Sequence, residues 1–145
     1  MILVALLFVP VKDNDIGRLQ PVEVVQVFRQ GSQVSIRTDT GDIGLGDTAE
    51  QALQNLKDTT PGYIYLDTAE YLLLNGAAMS DVEVLRTALK RNLRICLAES
   101  KLDLQLVAEY LPVHGELPRL KNWNLGDKLP ELTVKNERLI FLKKM

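Results

Sequence analysis

The chain opens with Ile2-Leu3-Val4-Ala5-Leu6-Leu7-Phe8-Val9, an unbroken apolar run closed by Pro10 and by Lys12-Asp13-Asn14-Asp15. An apolar run this short, with no polar alternation, reads as a β-strand buried on both faces, the kind that sits in the middle of an α/β sheet. It therefore places the start of the chain in the core of a fold. No positively charged stretch precedes the run, and Pro10, Val11 and Lys12 offer no small-residue cleavage pattern, so it does not read as a signal peptide. It is also far too short to cross a bilayer. The expected location is the cytoplasm as the sequence stands, with membrane association only if a native leader has been removed.

What such a strand can be part of depends on the rest of the chain. With 145 residues, 46% hydrophobic and 25% charged, there is enough material for one domain with a proper core. A formal net charge of −2 argues against a nucleic-acid-binding protein. The single cysteine, Cys96, and the single histidine, His114, exclude an internal disulfide and a Cys/His zinc site. Cys96 lies within Leu93-Arg94-Ile95-Cys96-Leu97-Ala98 and reads as a small core residue. No cofactor or metal is expected.

Further along, Val22 to Phe28 and the alternating Val34-Ser35-Ile36-Arg37-Thr38 flank a turn at Gln30-Gly31-Ser32, which predicts a hairpin beside the first strand. Asp47-Thr48-Ala49-Glu50 is a helix start, with Asp47 as cap and Glu50 reaching back. Ala49, Ala52, Leu53 and Leu56 share one face of that helix, which should end before Thr59-Thr60-Pro61. Tyr63-Ile64-Tyr65-Leu66 and Tyr71-Leu72-Leu73-Leu74 read as extended segments. Ser80 and Ser100 are expected to cap two further helices. The first buries Val82, Leu85, Ala88 and Leu89; the second carries Leu102, Leu106, Val107, Tyr110 and Leu111 and ends at Pro112 and Gly115. Between them Leu93 to Ala98 is a buried strand. Glu131 to Val134 and Arg138 to Leu142 form a closing hairpin. The expected architecture is α/β with a mixed sheet, a central buried strand, crossover helices and a C-terminal hairpin. Residues 1–112 form the core, and residues 113–145 are an extension packed on it.

Few residues point to chemistry. Gly41, Gly44 and Gly46 precede a helix but lack the spacing of a phosphate loop, and Asp42 and Asp47 would repel phosphate. Asp67 and Glu70 lie near a strand break, without the opposed environments that an acid/base pair needs. A cleft near Gly44–Asp47 with Asp67 and Glu70 is the setting for a small-molecule-binding or catalytic alternative. His114 lies in a loop, without a nucleophile motif. Arg86, Lys90, Arg91 and Arg94 are the densest basic cluster and the candidate surface for a protein partner. Trp123, with Tyr63 and Tyr65, is a candidate interface anchor or a clamp for the C-terminal segment. A third reading is a self-associating homo-oligomer.

One stretch of the chain points beyond fold class. It runs from the helix Thr48-Ala49-Glu50-Gln51-Ala52-Leu53-Gln54-Asn55-Leu56, past Pro61, through Tyr63-Ile64-Tyr65-Leu66 and Glu70-Tyr71-Leu72-Leu73-Leu74-Asn75-Gly76. It continues with a helix ending in Leu89-Lys90-Arg91-Asn92 and a strand at Leu93 to Ala98. This succession resembles the N-terminal domain of the Ger(x)C-type proteins, the lipoprotein C subunit of spore germinant receptors. The resemblance covers residues 1–99. The chain departs from the family pattern in having no lipobox cysteine and in carrying Asp67-Thr68 where the family has a histidine. The resemblance implies a non-enzymatic assembly or binding domain from a spore-forming bacterium, with no catalytic residues to carry over.

Overall fold

The computed structural model describes residues 19–60, 63–90, 92–114, 116–125 and 127–142. Residues 2–9, the expected central strand, lie outside the described residues. Among the described residues the main sheet has seven strands in the order β4-β3-β2-β6-β7-β8-β9. These are β2 (Val24–Gln30), β3 (Gln33–Thr38), β4 (Ile43–Gly46), β6 (Tyr71–Leu74), β7 (Arg94–Leu97), β8 (Glu131–Lys135) and β9 (Arg138–Leu142). The inner four, β2, β6, β7 and β8, run parallel, and antiparallel hairpins close both sides. The mixed α/β sheet expected from the sequence is present, with β6 at its centre. Every residue of Tyr71–Leu74 is buried, and alternate side chains enter the two separate cores on either face of the sheet. A separate parallel pair, β1 (Leu19–Pro21) with β5 (Tyr63–Tyr65), is a two-stranded sheet of its own.

One face is covered by α1 (Ala49–Thr59), by the 3₁₀ segment Gly76–Asp81 and by α2 (Val82–Leu85). The helix ends before Pro61, one residue later than expected: it includes Thr59, Thr60 is the C-cap, and the Thr60 N–H donates to the Leu56 carbonyl. The start is one residue later than expected. Thr48 is the cap and accepts from the Gln51 N–H at 3.1 Å, while Gln51 Oε1 reaches back to the Asp47 N–H at 2.9 Å. The cap is therefore Thr48 rather than Asp47, and it is Gln51, not Glu50, that reaches back, to the amide one residue before the cap. The expected helix start at Ser80 is also corrected. Ser80 sits inside the 3₁₀ segment, and α2 is only four residues long.

Among the described residues the other face carries one helix, α3 (Leu104–His114). Asp103, not Ser100, caps it, with Oδ1 accepting from Gln105 N at 3.1 Å. Pro112 is accommodated within the helix rather than ending it, and Leu102 lies before it. Buried Leu104, Val107 and Leu111 follow the expected spacing, whereas Leu106 is half exposed.

Residues 116–142 complete the sheet instead of lying over it. Ile95 N donates to the Pro118 carbonyl, Leu97 N to the Pro130 carbonyl and Leu120 N to the Leu93 carbonyl, at 3.0, 2.8 and 2.7 Å. The outer side of β7 is thus satisfied first by the stretch around Pro118 and then by β8.

Candidate functional site

The basic cluster is not one docking face. Arg86 turns inward: Nη1 and Nη2 donate to the carbonyls of Leu120 and Trp123 at 2.8 and 2.7 Å, and Nε pairs with Glu83 at 3.1 Å. Guanidinium has a fork of donors that suits two neighbouring carbonyls, and here the fork fastens residues 120–123 to α2. Lys90 pairs with Glu70. Arg94 is half-buried in β7, within the field of the Tyr71 hydroxyl, and Arg91 lies outside the described residues. The partner surface expected at these residues is corrected accordingly: two of its three described cations are held by the protein's own groups.

Trp123 is 2% exposed, and its Nε1–H donates to the Asp127 carbonyl at 3.1 Å. Its ring joins the core with Leu120 and Leu129. It is therefore the clamp of the C-terminal segment, and a side chain so enclosed is not an anchor for another protein.

The proposed cleft at Gly44–Asp47 is filled. A Cβ on Gly44 would lie 2.2 Å from the Ala52 carbonyl oxygen, and one on Gly46 would lie 2.6 Å from the Ala52 nitrogen. These glycines let the α1 backbone lie directly on β4. Glu70 is held by Lys90, and the side chain of Asp67 lies outside the described part.

A polar clamp that sequence reasoning did not single out lies across β2 and β3. Gln26 is fully buried, with Nε2 donating to the Ser100 carbonyl at 2.8 Å. Its Oε1 accepts from Leu102 N at 3.1 Å and from Arg37 Nη1 at 2.9 Å. Arg37 also donates to the Leu102 carbonyl at 3.1 Å. The loop between β7 and α3 is pinned there, next to a hollow of about 400 Å³ edged by Asp39, Lys101 and Asp103. The visible signal was Gln26 itself, a polar residue at an inward position of an apolar strand.

Two side chains with nucleophilic or acid–base potential have structural surroundings. Cys96 is fully buried, and burial pushes its thiol up to about 12. His114 stacks on Tyr110 with ring centroids 4.2 Å apart, and its Nδ1 lies 3.1 Å from the Tyr110 carbonyl. At the far end of the strand bundle, Arg29 forms a bidentate pair with Asp81 at 3.0 and 2.9 Å, which raises the Arg29 pKa.

A concavity with apolar character lies at the β9 margin. It is a groove of about 540 Å³ between Leu106, Glu109, Tyr110 and His114 of α3 and the start of β9 at Arg138–Ile140. Phe141 tilts against Tyr110 at 5.9 Å and supports its floor. Of its lining, Leu106 is half exposed. Among the described residues there is no group of three or more His, Cys, Asp or Glu placed to hold a metal, and no helix is long and apolar enough to cross a membrane. Compared with protein-family models, with curated proteins and with solved structures, the chain matches none.

Proposed function

We propose that this chain is a non-enzymatic assembly domain that works by protein contact along the margin formed by α3 and β9. The observation that carries this reading is the apolar groove bounded by Leu106, Tyr110 and Leu139 beside a sheet edge. Edge strands with neighbouring apolar pockets recognise extended polypeptide through backbone hydrogen bonds and alternate side chains. The resemblance of residues 1–99 to the germinant-receptor C subunit supports the same class, and relationship to germination proteins is part of the proposal.

The test places a photo-crosslinking amino acid at Ile140 in the full chain and, as a control, at Gln54 on the opposite face. An assembly domain gives one protein adduct, identified by mass spectrometry, from position 140 and not from position 54. Equal or absent adducts at both positions overturn the reading.

A further inference from the structure

We propose that Asn75-Gly76 is a deamidation site gated by the fold. It is held off in the native corner where β2, β6 and the chain after β7 meet, it reacts when that corner opens, and it leaves the corner loosened once it has reacted. The proposal is independent of the assembly reading. Deamidation of asparagine is an intramolecular acyl transfer. The nitrogen of the next residue loses its proton and bonds to Cγ; the bond from Cγ to Nδ2 breaks, and ammonia leaves. Water then opens the five-membered imide at either carbonyl, giving aspartate or isoaspartate, and is the sole co-reactant. A following glycine favours the attack, because it has no side chain to crowd the nitrogen and its backbone is the least restricted. Asn75 is the one asparagine of the chain followed by glycine; Asp, Leu, Trp or Glu follows the others.

Two neighbours hold the reacting atoms apart. Asn75 occupies the cap position before the 3₁₀ segment Gly76–Asp81, yet its side chain makes no capping bond. The amide is turned to β2 instead: Oδ1 accepts from the Arg29 N–H at 3.0 Å, and Nδ2 donates to the Arg29 carbonyl at 2.8 Å. The side chain thereby imitates a peptide group and carries the parallel ladder of β2 and β6 past its last pair, Val27–Leu74. The backbone of Asn75 is extended, with ψ 167°, whereas ring closure requires the Gly76 nitrogen to eclipse Cβ about the Cα–C bond. On the other side the Gly76 N–H donates to both carboxylate oxygens of Glu99, at 3.2 and 3.1 Å. A carboxylate against this nitrogen opposes the negative charge that develops as the proton leaves. Asn75 is only 6% exposed, so the corner also limits the access of water.

These restraints are hydrogen bonds, lost together when the corner opens locally, and reaction proceeds from the open population. The product does not restore them. In an ionised aspartate an oxygen replaces Nδ2 and faces the Arg29 carbonyl, two acceptors where a donor and an acceptor met. In isoaspartate the main chain gains a methylene between β6 and the 3₁₀ segment, which displaces Gly76 from Glu99. Either product adds a negative charge to a corner that already holds Asp81, bound to the Arg29 guanidinium at 3.0 and 2.9 Å.

The test uses the full chain in warm, mildly alkaline buffer. Peptide mapping by mass spectrometry follows the amide-to-acid conversion at position 75, and isoaspartyl methyltransferase labelling distinguishes isoaspartate. Hydrogen exchange of the Arg29 amide, which is bonded to Asn75 Oδ1, reports how often the corner opens. The native protein is expected to deamidate at Asn75 at least about tenfold more slowly than the same chain unfolded in guanidinium chloride, in step with the protection of the Arg29 amide. Glu99→Ala, at an exposed side chain, should speed native deamidation about threefold or more, the worth of one hydrogen bond, with circular dichroism unchanged. Gly76→Ala should slow the reaction in the unfolded chain. Asn75→Asp, which has one of the two products in place, should melt earlier and exchange its Arg29 amide faster. Equal rates in the native and unfolded chain overturn the gate, as does a native rate out of step with Arg29 exchange or unmoved by Glu99→Ala. An unfolded chain that does not convert at Asn75 overturns the site. An Asn75→Asp protein with wild-type melting and exchange overturns the loosening.

Discussion

Gln26 shows how one polar residue can decide the path of a loop. Its amide satisfies a carbonyl and a backbone N–H of the loop before α3 and a guanidinium from β3. Gln26→Leu preserves size but leaves those groups buried without a partner, at about 1–3 kcal/mol for each that water cannot reach. Chemical denaturation should show a loss of about 2–3 kcal/mol, and an unchanged midpoint would mean the loop is held elsewhere. Cys96 makes a second residue-scale prediction. A thiol raised to about 12 from a reference of 9.0 is protonated at neutral pH, so Ellman's reagent should fail to modify the native protein at mildly alkaline pH and should react fully once it is unfolded. The linkage has a definite sign. Stability from the neutral buried thiol is complete below the unfolded value near 9 and declines as pH rises from there toward about 12. Stability rising with pH across that window would contradict the assignment.

Among the elements, α1 depends on its two ends and on the glycines beneath it. Thr48→Ala removes the side-chain acceptor for Gln51 N and should cost about 1 kcal/mol. Gly44→Ala should cost more, about 2–3 kcal/mol, because the new methyl meets backbone atoms of α1 that cannot rotate away. A thermal melt of the two variants ranks them, and a Gly44→Ala protein as stable as wild type would mean that α1 shifts freely on β4. The helix itself was legible from the spacing of Ala49, Ala52, Leu53 and Leu56, all of which are buried. The cap was displaced by one residue because Asp47 and Thr48 are both good caps, and only the backbone path chooses between them. Ser100 was a plausible cap for the same reason. The loop's descent to Gln26 moved the start of α3 to Asp103.

At the scale of the whole molecule, the strands β8 and β9 near the end of the chain are part of the main sheet. Arg86 grips the carbonyls of Leu120 and Trp123, and β8 extends β7. Fluorescence of Trp123, the one tryptophan in the chain, should therefore change together with far-ultraviolet circular dichroism in a single cooperative transition. An earlier fluorescence transition would show that the C-terminal part unfolds as a separate unit, as the division at residue 112 suggests. The candidate margin belongs to this scale too. Leu106 and Tyr110 share one face of α3, but Leu139 is far from them in sequence, and no motif joins the three.

The sequence by itself determined the local pieces of this protein. Alternation in Val34 to Thr38, the fully apolar Tyr71 to Leu74, the stripe of α1 and the turn at Asn136-Glu137 each follow from short-range sterics and side-chain periodicity. Only the tertiary structure decided which groups meet. It spent Arg86 on carbonyls more than thirty residues away, enclosed Trp123, filled the space above Gly44 and left β9 at the margin. Charge, aromaticity and glycine are visible one residue at a time, but exposure and pairing are properties of the assembled sheet. Strand order is set by long-range contacts that a linear pattern does not encode.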